Sequence, residues 1–281
     1  MDFRKLIKEF ENCPCGQKHE CAIGDIRVGS GITADTGEIL KENNFPKKIL
    51  LVADKITLKA ADGIEESLRG FETELLIYDT LRVATMADVK RIEGYLDRGI
   101  GGVLAVGTGS VHDICRLACA NRGKPLCLFA MAASMDGFAS YSAPIVDNNF
   151  KITYPAKCPE VIIADTKILA AAPKALKSAG FGDMAAKYVA LIDWRVSNLL
   201  SGESYCERVA ALTEYAADAV MRMADQITAD DEAAAAKVFE GLLLTGIAMS
   251  FTKTSRPGSG CEHIMAHYME CSTRIYQIYL K

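Results

Sequence analysis

The sequence predicts an α/β protein with two domains: a parallel-sheet domain over residues 1–172 and an all-helical domain over residues 173–281. Two observations predict this division. From about residue 48, short β-branched runs alternate with amphipathic stretches, a pattern typical of βαβ units. Beyond Pro173 the β-branched runs end and alanine-rich helical segments take over.

The elements follow from hydrophobic periodicity, with buried strands as continuous apolar runs and helices as amphipathic stretches. The predicted strands are 48–53, 74–78, 102–106, 125–129 and 160–165. The predicted helices are 57–70, 86–98 and 111–121 in the first domain, and 173–200, 204–226, 231–254 and 259–270 in the second.

Composition limits the classes of partner. The chain has 281 residues, 50% hydrophobic and 24% charged, with a formal net charge of -4, which does not favour a polyanion. The N-terminus lacks the apolar region of a signal peptide, and no uncharged apolar run is long enough to span a bilayer. We therefore expect a soluble cytoplasmic protein without nucleic-acid or membrane partners.

The turn Gly107-Thr108-Gly109-Ser110 joins a predicted strand to a predicted helix. Such a turn directs backbone N–H groups and the positive end of the helix towards phosphate, so it favours a Rossmann-like dinucleotide site. The alternative is an ordinary βα turn, because a third glycine is lacking. Asp54 follows the first predicted strand, where it either accepts a ribose hydroxyl or caps the next helix.

Three further segments are candidates for the site. Met131 to Ser140 is small and polar after a strand, which favours ligand contact over a plain surface loop. Ala179 to Asp183 places a carboxylate at an expected glycine-rich break in the first long helix, where a capping role is the alternative. His263 and His267 share a helix face, which favours a metal or anion site over a structural role for these histidines.

Ten cysteines are spread through the chain, several of them in apolar runs, so we expect mostly buried, reduced thiols. Cys13, Cys15, His19 and Cys21 form the exception. This cluster has ligands suited to zinc, although its Cys-x-Cys spacing is not the usual one, and its role stays open.

Taken together, these segments resemble the sn-glycerol-1-phosphate dehydrogenases, especially the bacterial type, in the superfamily of iron-type alcohol dehydrogenases, glycerol dehydrogenases and dehydroquinate synthases. The resemblance covers residues from about 10 to 270. Its marks are residues 133–137, 180–183, 193–195 and 255–267, with Cys13-Pro14-Cys15-Gly16 near the N-terminus. Thr108, His112 and Met131 depart from the usual family pattern of glycine, isoleucine and threonine.

The resemblance implies a metal-dependent enzyme that uses NAD(H) or NADP(H) to interconvert dihydroxyacetone phosphate and sn-glycerol 1-phosphate, as in phospholipid biosynthesis. It implies that Asp136, Asp183 and His267 bind substrate, and that Asp183 and His263 are catalytic and bind Zn²⁺ or Ni²⁺. Arg256 and His267 are candidates for contact with the substrate phosphate. The implied cofactor contacts are Gly109, Ser110, Val111, His112, Asp113, Met131, Ala132, Ala133, Ser134 and Ser140, to which the sequence position adds Asp54.

The resemblance also implies a third metal ligand, from a His-Gly pair in a continuation beyond Lys281, so the helical domain is expected to be incomplete. A homodimer is expected as well. Two other functions stay open: a catalytically silent chain that still binds dinucleotide, and a glycerol dehydrogenase. Dehydroquinate synthase is disfavoured because the helical domain lacks an evident set of basic residues for its substrate.

Overall fold

A computed structural model describes residues 2–148, 150–227 and 230–273, without the side chains of His267 and residues 270–273. Its central sheet has six parallel strands in the order β1-β8-β5-β4-β2-β3. They are β1 (Asp25–Gly29), β2 (Lys48–Asp54), β3 (Glu72–Tyr78), β4 (Gly102–Gly107), β5 (Leu126–Ala130) and β8 (Val161–Asp165). β6 (Ser142–Asp147) and β7 (Phe150–Pro155) form a separate antiparallel pair.

Helices cover both faces of the sheet and continue into a helical region. The first seven are α1 (Phe3–Glu11), α2 (Thr36–Glu42), α3 (Lys55–Ala60), α4 (Ile64–Ser67), α5 (Met86–Leu96), α6 (Gly109–Arg122) and α7 (Thr166–Ala171). The helical region contains α8 (Lys174–Ser201), α9 (Glu207–Met221), α10 (Glu232–Thr252) and α11 (Cys261–Thr273). Two 3₁₀ turns lie at Ile32–Asp35 and Gly137–Ala139.

The predicted fold class is confirmed, and so are the five predicted strands. β1 and the β6–β7 pair were missed; β7 is largely exposed and lacks the apolar run on which strand prediction relies. The single helix predicted over 57–70 is wrong. It is two short helices, α3 and α4, because Gly63 adopts a left-handed conformation with a φ of 86° between them.

The glycine-rich break expected at residues 179–183 is also wrong, because α8 runs unbroken through it. Gly180 serves close packing instead. A Cβ atom there would lie 1.9 Å from the carbonyl oxygen of Ala133, whereas one at Gly182 would meet nothing within 4 Å. Gly180 therefore lets α8 approach the loop after β5 more closely than any other residue would allow.

The strand order places a topological switch point between β2 and β4. From β2 the chain first adds β3 on one side and then β4 on the other. In doubly wound sheets of this kind, ligands bind in the crevice outside the carboxyl ends of the strands at the switch point. Asp54 and Gly107 mark those two ends.

One hydrophobic cluster joins the sheet to the helical region, with Ile162 and Ala164 of β8 packed in the same core as Trp194, Phe239 and Leu242. The boundary between residues 172 and 173 therefore stays a prediction. Among the described residues, only α10 is long and apolar enough to cross a membrane, and 83% of its most apolar window is buried inside the protein.

Candidate functional site

The predicted glycine turn lies at the switch point, where β4 ends and α6 begins. Thr108 is the N-cap of α6, but its side chain makes no capping hydrogen bond. The N–H groups at this helix end are therefore left without the side-chain acceptor that usually satisfies them, and the helix dipole makes the end positive. This is the arrangement that accepts a phosphate.

The two glycines of the turn have different roles. A Cβ at Gly107 would lie 2.6 Å from Cβ of Val111, so glycine is needed there for the packing of helix on strand. A Cβ at Gly109 would make only ordinary contact, with Cγ of Met135 at 3.6 Å. Packing therefore does not require glycine at 109, whereas close approach of a ligand to the backbone would.

Beyond Gly109 the side chains of the turn face the protein. Ser110 donates a hydrogen bond to the carbonyl of Arg82 at 2.9 Å, and Val111 is buried in the core. Asp113 pairs with the fully buried Arg116, at 3.2 Å between Oδ1 and the guanidinium. Burial raises the pKa of Asp113 to about 6, although the charge of Arg116 opposes that rise.

His112 is fully buried, so its side chain is turned into the core, and its implied contact with a cofactor stays a prediction. Nε2 lies 3.3 Å from the carbonyl oxygen of Phe129, and Nδ1 has no hydrogen-bond partner among the described residues. Burial, together with the charge of Arg116, lowers the pKa of His112 to about 3, so the imidazole is neutral at physiological pH.

The segment after β5 is largely an interior loop rather than a plain surface loop. Met131, Ala132 and Ala133 are buried, and the backbone N–H of Met131 donates to the carbonyl of Gly107 at 3.0 Å. Ser134 is half-buried. This hydrogen bond and the approach of Met135 to Gly109 hold the segment beside the glycine turn.

Ser140 is buried at the far end of the same segment. Its hydroxyl lies 3.1 Å from that of Ser142 and accepts a hydrogen bond from the Ser142 backbone N–H, also at 3.1 Å. The serine therefore shapes the local chain, and its contact with a cofactor stays a prediction.

Asp54 is the N-cap of α3. Its Oδ1 accepts hydrogen bonds from the backbone N–H groups of Ile56 and Thr57, at 2.9 and 2.8 Å. Of the two roles that the sequence left open, the structure contains the capping role. Contact with a ribose stays a prediction.

Asp136 and Asp183 meet at a buried lysine that the sequence analysis did not single out. Nζ of Lys187 lies 2.7 Å from Oδ2 of Asp136 and 2.6 Å from Oδ1 of Asp183. It also donates to the carbonyl of Gly258 at 2.9 Å. One buried ammonium thus joins the loop after β5, α8 and the loop before α11.

Burial shapes the charges of this group. It raises the pKa of Asp183 to about 6, reinforced by the charge of Asp136 and opposed by Lys187. Burial also disfavours the ammonium of Lys187, but the two carboxylates more than offset that effect, and the pKa of Lys187 is raised. The lysine therefore stays charged, and with both carboxyls ionised the group carries a net negative charge that favours a further cation.

His263, the other predicted metal ligand, is half-buried near the start of α11, which packs against α8. Asp193 of α8 anchors that start by accepting a hydrogen bond from the Cys261 N–H at 2.5 Å. His267 is on the same helix, but its side chain lies outside the described residues. Arg256 is already paired, in two contacts of 2.9 and 2.8 Å with the Glu203 carboxylate.

The predicted metal ligands are of the right kind for a divalent cation, since they are a partly buried carboxylate and an imidazole. They do not complete a site by themselves. Among the described side chains, the sets of three or more donors within 4.8 Å of one another are Cys13, Cys15, His19 and Cys206, and Asp193, Cys261 and Glu262. Neither set contains Asp183 or His263.

Sequence reasoning missed Arg116 and Lys187. Arg116 donates to the carbonyls of Gly137 and Phe138, and so fixes the end of the loop after β5. Their spacing in the sequence could have indicated both residues. Arg116 lies one helical turn after Asp113, and Lys187 one turn after Asp183, each on an otherwise apolar face.

Comparison with known proteins agrees with this geometry. Residues 27–173 match the family model described as iron-containing alcohol dehydrogenase. A glycerol-1-phosphate dehydrogenase [NAD(P)+] of Thermococcus kodakarensis is 36% identical over 250 residues, which cover 88% of this chain and 70% of the relative. One of Halalkalibacterium halodurans is 34% identical over 266 residues, which cover 92% of this chain and 66% of the relative. The chain thus spans about two thirds of the length of these relatives.

Solved structures show the same fold at low sequence identity. The NADH-dependent butanol dehydrogenase A of Thermotoga maritima matches with a TM-score of 0.73 at 18% identity, covering 91% of this chain and 69% of that one. A sulfoacetaldehyde reductase of Bifidobacterium kashiwanohense, solved with NAD+, matches with a TM-score of 0.70 at 13% identity, over 90% and 70% of the two chains. With its switch-point glycine turn and its buried Asp136–Lys187–Asp183 group, the chain belongs to the iron-containing alcohol dehydrogenase family, among homologues that are glycerol-1-phosphate dehydrogenases.

Proposed function

We propose that this chain carries the machinery of an NAD(P)-linked oxidoreductase that interconverts dihydroxyacetone phosphate and sn-glycerol 1-phosphate. The observation that supports it is the path of the loop after β5. The loop begins with the hydrogen bond from Met131 to Gly107 in the glycine turn, and it reaches Asp136 beside Lys187 and Asp183. A dinucleotide on the turn and a polar substrate at the carboxylates would therefore be neighbours.

The cofactor half consists mainly of backbone. The N-terminus of α6 from Gly109 onwards would hold the diphosphate, and the buried small residues Ala132 and Ala133 would lie along the dinucleotide. Because the side chains of Val111 and His112 are buried, we assign the binding at this turn to backbone N–H groups.

The metal half consists of Asp183 and His263, which would hold a divalent ion, with Zn²⁺ or Ni²⁺ as candidates. Such an ion polarises a carbonyl and lowers the pKa of an alcohol, which assists hydride transfer to and from a nicotinamide. The chain's own contribution is positional. Lys187 fixes the Asp136 and Asp183 carboxylates, and α11 brings His263 to the α8 side of the site.

Substrate contacts are assigned to Asp136 and His267, with the phosphate near the loop before α11. We also propose a homodimer and a cytoplasmic location. The dimer has support from the exposed side chains near the end of α8, where Leu199 and Leu200 are 70% and 83% exposed. Neighbouring exposed apolar side chains can form a patch of the kind that marks an interaction surface.

The activity is tested with purified protein, NADH or NADPH, dihydroxyacetone phosphate and Zn²⁺ or Ni²⁺. Oxidation of the cofactor that depends on substrate and metal is the expected result. If no metal gives oxidation although calorimetry detects NADH binding, the chain is a silent dinucleotide binder. Faster turnover of glycerol than of glycerol 1-phosphate in the reverse direction would identify a glycerol dehydrogenase.

A variant pair tests the glycine turn. In Gly109→Asp, a carboxylate at the first position of α6 suits the helix dipole and leaves the fold intact, but it repels a bound diphosphate. We expect NADH affinity to fall at least about tenfold, which corresponds to roughly 1.4 kcal/mol. The control is Gly94→Asp, at an exposed helical glycine with open space around it. Equal NADH affinity in both variants would show that the turn does not bind the diphosphate.

A further inference from the structure

A second cluster of metal donors lies near the N-terminus. Cys13, Cys15 and His19 come from the segment after α1, and Cys206 is the residue immediately before α9. Their four donor atoms all lie within 4.8 Å of one another. Cys21, which the sequence grouped with the first three, is instead packed beside Cys158 and Ser250.

The distances fit a tetrahedral site better than a disulfide. Sγ of Cys13 lies 3.7 Å from Sγ of Cys206, and Sγ of Cys15 lies 3.1 Å from Nε2 of His19. Two sulfurs bonded to one zinc at about 2.3 Å in tetrahedral geometry are separated by about 3.8 Å. A disulfide needs about 2.05 Å between the sulfurs.

The environment of His19 is that of a ligand. The ring is fully buried, and its Nδ1 lies 3.0 Å from the carbonyl oxygen of Phe251. When Nδ1 donates its proton to that carbonyl, Nε2 is left with a lone pair directed at the cysteines. Metal-ligating histidines typically use a backbone carbonyl in this way to fix the tautomer and the ring orientation.

The geometry points to a structural zinc site made of Cys13, Cys15, His19 and Cys206. Three cysteines and one histidine are a standard closed set for zinc, with no position left open for a substrate. The positive N-terminal end of α9 stabilises the negative charge that ligation places on Cys206. This site is separate from the one assigned to Asp183 and His263, with which it shares no ligand.

The site would attach the N-terminal segment to the helical region. The neighbouring contacts already cross the same junction: the Phe10 and Phe251 rings stack with centroids 4.7 Å apart, and Arg208 donates to the carbonyl of Glu9 at 3.2 Å. Because Phe251 lies near the end of α10, the zinc would also support the helix that leads into the loop of Gly258. Its role is therefore structural rather than catalytic.

Cobalt spectroscopy on the full chain distinguishes the proposed structural site from the site assigned to Asp183 and His263. The reduced protein is loaded with Co²⁺, and the absorption of sulfur-to-cobalt charge transfer is recorded, a band that an oxygen and nitrogen site cannot produce. We expect this band in the wild type and in Asp183→Asn. Before cobalt loading, Asp183→Asn should still contain about one zinc per chain. Each bound thiolate contributes to the band, so Cys15→Ser and Cys206→Ser should each lose the contribution of one thiolate, or the whole band if the weakened site no longer holds Co²⁺. Cys15 is exposed, so its replacement is the milder test of the fold.

The matched control is Cys21→Ser, which removes the nearby thiol that lies outside the cluster and should keep the full band. Circular dichroism checks that each variant folds. A wild type that shows no cobalt–sulfur band after reduction would overturn the proposal, as would a native Cys13–Cys206 disulfide in metal-free protein. A band lost in Cys21→Ser but kept in Cys206→Ser would overturn the assigned ligand set.

Discussion

The charge of Lys187 decides how two partly buried carboxylates can lie close together. The lysine is fully buried and contacts Asp136, Asp183 and the carbonyl of Gly258, so both negative groups share one counter-ion. Removing one partner of a buried ionic group leaves an uncompensated charge. The lysine is therefore expected to matter for stability as well as for positioning.

In Lys187→Met, the two partly buried carboxylates lose their cation. We expect the metal-free variant to lose about 3–5 kcal/mol of unfolding free energy near neutral pH, measured by urea denaturation. The loss should be smaller near about pH 5, where a protonated carboxyl needs no counter-charge. The control is Lys174→Met, an exposed lysine on the same helix, expected to change stability by less than about 0.5 kcal/mol. Equal effects in the two variants would contradict the ionic role.

His112 gives the fold a defined sensitivity to acid. The unfolded chain protonates this histidine below about pH 6.5, whereas the folded protein keeps it neutral down to a pKa of about 3. The unfolded state therefore binds more protons in this window, and stability is lost as the pH falls through it. Between about pH 7.5 and about pH 5.5, this single group should lower the free energy of unfolding by about 1.4 kcal/mol.

His112→Leu should remove that part of the pH dependence. Leucine does not titrate in either the folded or the unfolded state, so the stability of the variant should rise relative to the wild type as the pH falls. The measurement is urea denaturation of both proteins at the two pH values. Parallel loss of stability in both would show that His112 does not carry the effect.

At the scale of elements, the long helix α8 shows what glycine does in a helix. Gly180 and Gly182 are separated by one residue, but only Gly180 faces a neighbouring backbone, that of Ala133. The sequence shows both glycines without showing which face each occupies. For that reason the helical periodicity predicted α8 correctly, whereas the break expected from its glycines was wrong.

The two glycines form a matched pair for mutation. Gly182→Ala should stabilise the protein by about 0.5–1 kcal/mol, because alanine favours the helix and the site is open. Gly180→Ala should destabilise it by about 1–3 kcal/mol, because the methyl group forces α8 away from the loop after β5. The same displacement should weaken NADH binding, as measured by fluorescence titration. A stabilising effect of both substitutions would refute the close contact.

At the scale of the whole molecule, the sequence predicts those helices and strands that have a clear local pattern of apolar residues. The five predicted strands and the four long helices of the second domain were predictable because each strand has its own apolar run and each helix its own periodicity. β1 was not, because a short half-buried edge strand lacks an apolar run. Cys206 and Lys187 were not assigned to their sites for a different reason: chain folding alone brings them to residues distant in sequence.

The pairing of β1 with β8 has a consequence for how the protein is made. Asp25 pairs with Val161, so β1 leaves the ribosome long before its partner strand exists. Contacts between such distant residues are costly in chain entropy and form late. The strands of the switch point, β2 to β5, have their partners nearby in the chain. The part of the sheet that contains the switch point can therefore assemble during synthesis, whereas β1 can pair at the opposite edge only after β8 has been made.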